Sequence, residues 1–176
     1  MRRIALSLFL FCTVNMINAQ NPFFEKYNTP HQTVPFDKIK NEHYEPAMLE
    51  GIKLHEAEIE AIINNPEAPT FANTIVAYEK SGKFLDRVIT VFGNLRSAET
   101  NDDLQKIAQK MIPLLSEHSN NISLNEKLFQ RVKAVYKQKS KLSLTIEQAK
   151  LLDDIYDGFV RRGANLQGEA RNKYRE

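Results

Sequence analysis

The sharpest coincidence of reactive side chains in this 176-residue sequence is His55-Glu56-Ala57-Glu58-Ile59. A zincin helix needs His-Glu-x-x-His, because residues one turn apart aim both imidazoles at one metal while the Glu activates its water. Ile59 stands where the second imidazole belongs, so the motif is absent and the half-match is of a kind that arises by chance. The ordinary reading of His55 is an exposed or hydrogen-bonded helical histidine. His31 falls among prolines, and His43 falls at a helix start, where capping or surface exposure is expected. His118 follows Glu117 near a helix end, where a partly charged imidazole suits the dipole. Asp153, Asp154 and Asp157 cluster on one helix, but a di-metal carboxylate site would want Glu-x-x-His partners, and no histidine follows His118. They read as a solvated acidic face. Lys127, Arg131, Lys133, Lys137, Lys139 and Lys141 read likewise as a solvated basic face with stems over apolar neighbours. No serine sits in a Gly-x-Ser-x-Gly elbow, and no glycine loop could cradle phosphate. On residues and spacing alone, no catalytic and no metal-ligating residue can be named within 1–176.

The elements that would carry these side chains are helices. From Asn41 the apolar period is helical, with Tyr44, Met48, Ile52, Ile59, Ile62 and Ile63 recurring at three, four or seven and Pro46 in the first turn. Asn64, Asn65 and Pro66 stop that helix. Thr70 is an N-cap for a second, striped by Phe71, Ile75 and Tyr78. Leu85, Val88, Phe92 and Leu95 continue the stripe past Gly82, where a kink or break at Ser81–Gly82 is expected. Asn101 starts a third helix with Asp102 and Asp103 in its first turn. Its face is Leu104, Ile107, Met111, Leu114 and Leu115, and Pro113 should bend it. A fourth comes after Asn125, with Leu128, Val132, Val135 and Tyr136 inward. Thr145 and Gln148 form a capping box for a fifth, striped by Ile146, Ala149, Leu152, Ile155, Tyr156 and Phe159. There is no sustained strand alternation, no Asn-Gly hairpin and no long repeat. The expected fold class is all-α, an antiparallel, bundle-like set of helices over residues 41–176. An extended arm precedes it at 20–40, interrupted by Pro22, Pro30 and Pro35 and pinned by Phe23, Phe24, Tyr27 and Phe36.

Residues 1–19 read as a secretory signal peptide: Arg2 and Arg3, an apolar run from Ile4 to Val14, and Ala19 before Gln20. Export is therefore expected, with a periplasmic address where the source has an outer membrane. Cleavage there removes Cys12, leaving no disulfide, thiolate site or Cys nucleophile. Across the whole chain 24 basic residues face 22 acidic ones, a balance too even to recruit nucleic acid or an anionic membrane. Gly168 to Glu176 again reads as helix-forming with no stop signal after it, so the helical domain is expected to be truncated at its C-terminal end.

Several segments are similar to the N-terminal region of the M3-family thermolysin-like oligopeptidases, bacterial peptidyl-dipeptidases in particular. They are Asn21-Pro22-Phe23-Phe24; Pro35-Phe36-Asp37-Lys38-Ile39-Lys40; Glu42-His43-Tyr44; Pro46-Ala47; Pro69-Thr70-Phe71 with Asn73-Thr74-Ile75; and Ser81-Gly82, Leu85 and Arg87-Val88. Val91-Phe92-Gly93-Asn94-Leu95, Leu128-Phe129 and Phe159-Val160-Arg161 continue the likeness, in order and over nearly all of the chain after the leader. The resemblance implies an almost wholly helical zinc peptidase whose N-terminal helices wall a channel that admits short peptides. It also implies that the zinc ligands, a His-Glu-x-x-His helix and a downstream Glu, lie in a C-terminal portion outside these residues. No family catalytic residue maps onto 1–176, and substrate-contacting wall residues are unknown. The sequence leaves two readings. In one the chain is the gating N-terminal part of an exported zinc enzyme that releases C-terminal dipeptides, completed by a missing catalytic portion. In the alternative it is a complete, non-catalytic helical module that grips peptides or proteins.

Overall fold

The computed structural model describes residues 21–166. The leader assigned to 1–19 and the helical reading of Gly168 to Glu176 lie outside the described residues. The fold is all-α, with no strand among the described residues. Its helices are α1 (Tyr44–Ile63), α2 (Ala77–Lys80), α3 (Lys83–Ala98), α4 (Asp102–Ser123), α5 (Glu126–Tyr136) and α6 (Ile146–Arg161). No helix among the described residues is long and apolar enough to cross a membrane.

Helix starts obey local side-chain chemistry. Asn101 Oδ1 accepts the Leu104 N–H at 2.9 Å, and Asn125 Oδ1 accepts that of Leu128 at 3.0 Å. Thr145 and Gln148 exchange the two bonds of a capping box, each satisfying a donor that the first turn leaves free. Thr70 does the same with Asn73, at 3.1 and 2.8 Å. The segment after Thr70 departs from the expected α-helix: Phe71–Val76 is wound as a π-helix before tightening into α2. That wide turn buries Thr74 and Ile75 completely. α2 then ends at Ser81, and Gly82 takes φ +70°, so the break expected there is present.

The chain divides into two compact units, each discontinuous in sequence. One comprises the described residues up to Lys53 plus Phe84–Ile112; the other comprises Leu54–Lys83 plus the described residues from Pro113. In the first unit, short 3-10 turns at Pro22–Phe24 and Asn41–His43 lead into α1. Phe23, Tyr44 and Met48 are fully buried. The Tyr44 ring lies 5.4 Å from that of Phe23 and 5.1 Å from that of Phe92. Arg87 Nη2 donates to the Phe23 carbonyl at 2.7 Å, and its guanidinium lies 5.0 Å from the Tyr27 ring, tying the first described segment down. Phe24 stacks on Phe84, whereas Phe36, expected as an anchor, is exposed. α1 and α3 approach at Gly51, where a Cβ would lie 2.9 Å from Leu85 Cδ1 and 3.1 Å from its Cα.

The second unit is built around Ile59, Ile62, Ile75, Leu128, Phe129, Val132, Val135, Leu152, Ile155 and Phe159. The π-helix, α5 and α6 pack together here. Two positions depart from the expected stripes. Ile146 is 86% exposed and Leu114 is also exposed. Periodicity fixes a residue's direction around a helix, but not how far a neighbour distant in sequence covers it.

Candidate functional site

His55, expected as an exposed or hydrogen-bonded helical histidine, and His118, expected as an imidazole suited to a helix end, are brought together in the second unit. His118 Nε2 lies 3.1 Å from His55 Nδ1, with the rings edge to face, and His55 Nε2 lies 3.2 Å from Ser81 Oγ. His118 is buried, 6% exposed. Its outer nitrogen, Nδ1, has no hydrogen-bond partner and faces Glu56 Oε1 at 3.6 Å. Glu58 turns to the other side of the break, where its Oε2 accepts the Gly82 N–H at 2.7 Å. The His55 ring fills the space above Gly82: a Cβ there would lie 2.7 Å from Cε1.

The proton positions in this chain are dictated by Ser81. Its hydroxyl donates to the Tyr78 carbonyl at 2.7 Å, so the hydrogen between Ser81 and His55 belongs to His55 Nε2. A neutral His55 then accepts at Nδ1, and His118 must donate from Nε2. Every hydrogen bond is thereby directed from His118 toward the Tyr78 carbonyl. A general base would need a free lone pair facing the serine hydroxyl; here His55 offers a donor instead. The constellation is a closed polar chain, and it does not activate Ser81 as a nucleophile. Burial, reinforced by the charge on His118, holds His55 below the ordinary imidazole value; Glu58 and Glu56 oppose the shift.

Nor do these residues fit zinc. The facing nitrogens of the two histidines are bonded to each other, and no group of three or more His, Cys, Asp or Glu among the described residues lies together as a ligand set. His43 acts locally: its Nδ1 accepts the Lys40 N–H at 3.0 Å. His31 has φ 56° and lies exposed in the 3-10 turn Pro30–Gln32.

The basic and acidic faces are less uniformly solvated than the sequence suggests. Arg131 donates from Nη1 to the Asn65 carbonyl at 3.0 Å, and from Nη2 to the Glu67 carbonyl and Asn73 Oδ1 at 3.3 and 3.4 Å. It staples the loop between α1 and the π-helix. Lys139 pairs with both oxygens of Asp153 at 2.6–2.7 Å, and Lys150 pairs with Asp154. Lys133 lies 5.7 Å from the Phe129 ring. An open cleft of about 390 Å³ lies beside the staple, with Ala61, Ile62 and Ala77 among its lining and Glu58, Lys80, Asn65 and Asn73 adding polar groups.

A dipeptidyl carboxypeptidase of Salmonella typhimurium is 44% identical over 149 residues, covering 85% of this chain and 22% of that protein. The dipeptidyl carboxypeptidase of Escherichia coli is 42% identical over 150 residues, with the same two coverages. In sequence the chain is a relative of the M3-family peptidases. It matches an N-terminal region and spans about a fifth of the length of these relatives. Oligopeptidase A of Escherichia coli, 24% identical over 148 residues, is a more distant relative. No family model matches the chain.

Proposed function

We propose that these residues form part of the channel wall and substrate gate of an exported, zinc-dependent peptidase that releases C-terminal dipeptides from short peptides. The observation that carries this reading is the 44% identity to a dipeptidyl carboxypeptidase over 85% of the chain. In a wall element, helices supply shape and exclusion while the chemistry is supplied elsewhere, and the polar chain at His55 fits that role because its hydrogen bonds are directed away from nucleophile activation. Zinc, on this reading, is held by residues outside 1–176, where it would polarise the scissile carbonyl and lower the pKa of its bound water. The basic start leading into an apolar run at residues 1–19 supports export, to a periplasm where the source has an outer membrane.

The test is the intact mass and activity of the natural product from its source cells. A species several-fold heavier than this chain, starting near Gln20 and releasing C-terminal dipeptides in a chelator-sensitive way, is the expected result. Zinc-dependent dipeptide release by pure 1–176 would overturn it, as would a natural product of this chain's own mass.

A further inference from the structure

The Glu56–His118–His55–Ser81 chain has a property that a channel wall does not require. Its one ring nitrogen without a hydrogen-bond partner is the buried His118 Nδ1, 3.6 Å from the Glu56 carboxylate. A proton placed there would break none of the hydrogen bonds from His118 to Tyr78 and would face the Glu56 carboxylate. A second proton has only His55 Nδ1 to occupy. That atom already accepts the hydrogen of His118 Nε2 across 3.1 Å, so two N–H groups and two positive charges would then confront each other with no lone pair between them.

We propose that this chain is a proton-operated latch on the helix break at Ser81–Gly82, closed with no proton or one proton and released when both imidazoles are charged. Closed, it ties the end of α2 to α1 through His55 and to α4 through His118. The same break is held separately by Glu58, which accepts the Gly82 N–H. The His55 ring also packs on Gly82, whose φ of +70° makes the backbone there a sharp reversal. Release of His55 removes both its Ser81 bond and that packing, leaving the turn to Glu58 and to the bonds that Ser81 makes with the Tyr78 carbonyl. The charged groups acting on His55 are His118 from α4 and Glu58 and Glu56 from α1. The turn itself contributes a hydroxyl and main chain. Burial of His55 favours its neutral form, so the closed state prevails at neutral pH and release belongs to the acid side of the imidazole range.

Amide hydrogen exchange on the full chain tests the latch, read as protection factors so that the intrinsic pH dependence of exchange drops out. Between about pH 7.5 and about pH 5, the Ser81 and Gly82 amides should lose about tenfold in protection, while Leu128 and Val132 in the core keep theirs. In His55→Gln, which cannot titrate, the loss should vanish. His118→Gln keeps a donor toward His55 and removes the second charge, and it should flatten the profile too. It serves as the independent variant if His55→Gln does not fold. In the unmodified protein, imidazole carbon resonances should show the loss tracking the second of two proton uptakes. Protection that stays constant in the unmodified protein overturns the latch. So does a loss that persists in both variants, or one that tracks the first uptake.

Discussion

Gly82 shows how much one residue can constrain. Its φ of +70° suits glycine, and the His55 ring occupies the volume a side chain would need. Gly82→Ala therefore meets two costs, a left-handed backbone and a contact of 2.7 Å with His55 Cε1. It should destabilise the chain by about 1–3 kcal/mol in chemical denaturation. A change within the error of that measurement would mean that the turn relaxes freely. His55 itself makes a pH prediction whose sign is fixed. Its folded-state pKa lies below the unfolded value near 6.5, so the folded form binds fewer protons. Its contribution is present above about pH 6.5 and is lost as pH falls through the folded pKa. His43, shifted down chiefly by burial, adds in the same direction. Melting curves of the parent and His55→Gln across this range should diverge, the parent losing more stability on acidification. Parallel curves would remove His55 from the linkage.

At the scale of the element, the caps are where sequence and structure agree most directly. Asn101, Asn125, Thr70 and Thr145 announce helix starts because a cap acts on amides two or three residues away. That information is contained in a short string. Thr145→Ala should cost about 1 kcal/mol through loss of the capping box, whereas Ile146→Lys, at a position 86% exposed, should stay within about 0.5 kcal/mol of the parent. If Ile146→Lys proved the more damaging in paired urea titrations, an apolar contact would cover that residue in solution. The stripe containing Ile146 was legible; its exposure was not, because coverage depends on a neighbour distant in sequence. The same limit hid the site. His55 and His118 are 63 residues apart, and neither lies in a motif that points to the other. Arg131 reads as one cation in a basic run until the chain folds and sets three acceptors from the 65–73 segment around its guanidinium. The π-helix at Phe71–Val76 left no signal either, since its apolar spacing also satisfies an ordinary α-helix.

For the molecule as a whole, the sequence order of the two units bears on where function can reside. The chain passes between them at Lys53/Leu54, Lys83/Phe84 and Ile112/Pro113, and each unit has its own buried residues. The second unit's core is continuous enough that Leu152→Ala, at a fully buried position, should cost about 2–5 kcal/mol. Metal offers the sharper test of the division between wall and catalytic centre. A ligand that binds the native state with dissociation constant Kd raises stability by RT ln(1 + [L]/Kd), about 2.7 kcal/mol at a hundredfold excess over Kd. Even micromolar zinc affinity would thus show as a rise in Tm at accessible concentrations. Among the described residues the two bonded imidazoles belong to no group of three or more His, Cys, Asp or Glu that could hold a metal, so Tm for 1–176 should be unchanged by zinc at neutral pH. If the proposed function holds, chelation should abolish dipeptide release by the natural product, and restoring zinc should recover it. A zinc-dependent rise in the Tm of 1–176 that disappears in His118→Gln would show the two histidines exchanging their shared hydrogen for a metal, and would place metal binding inside this chain.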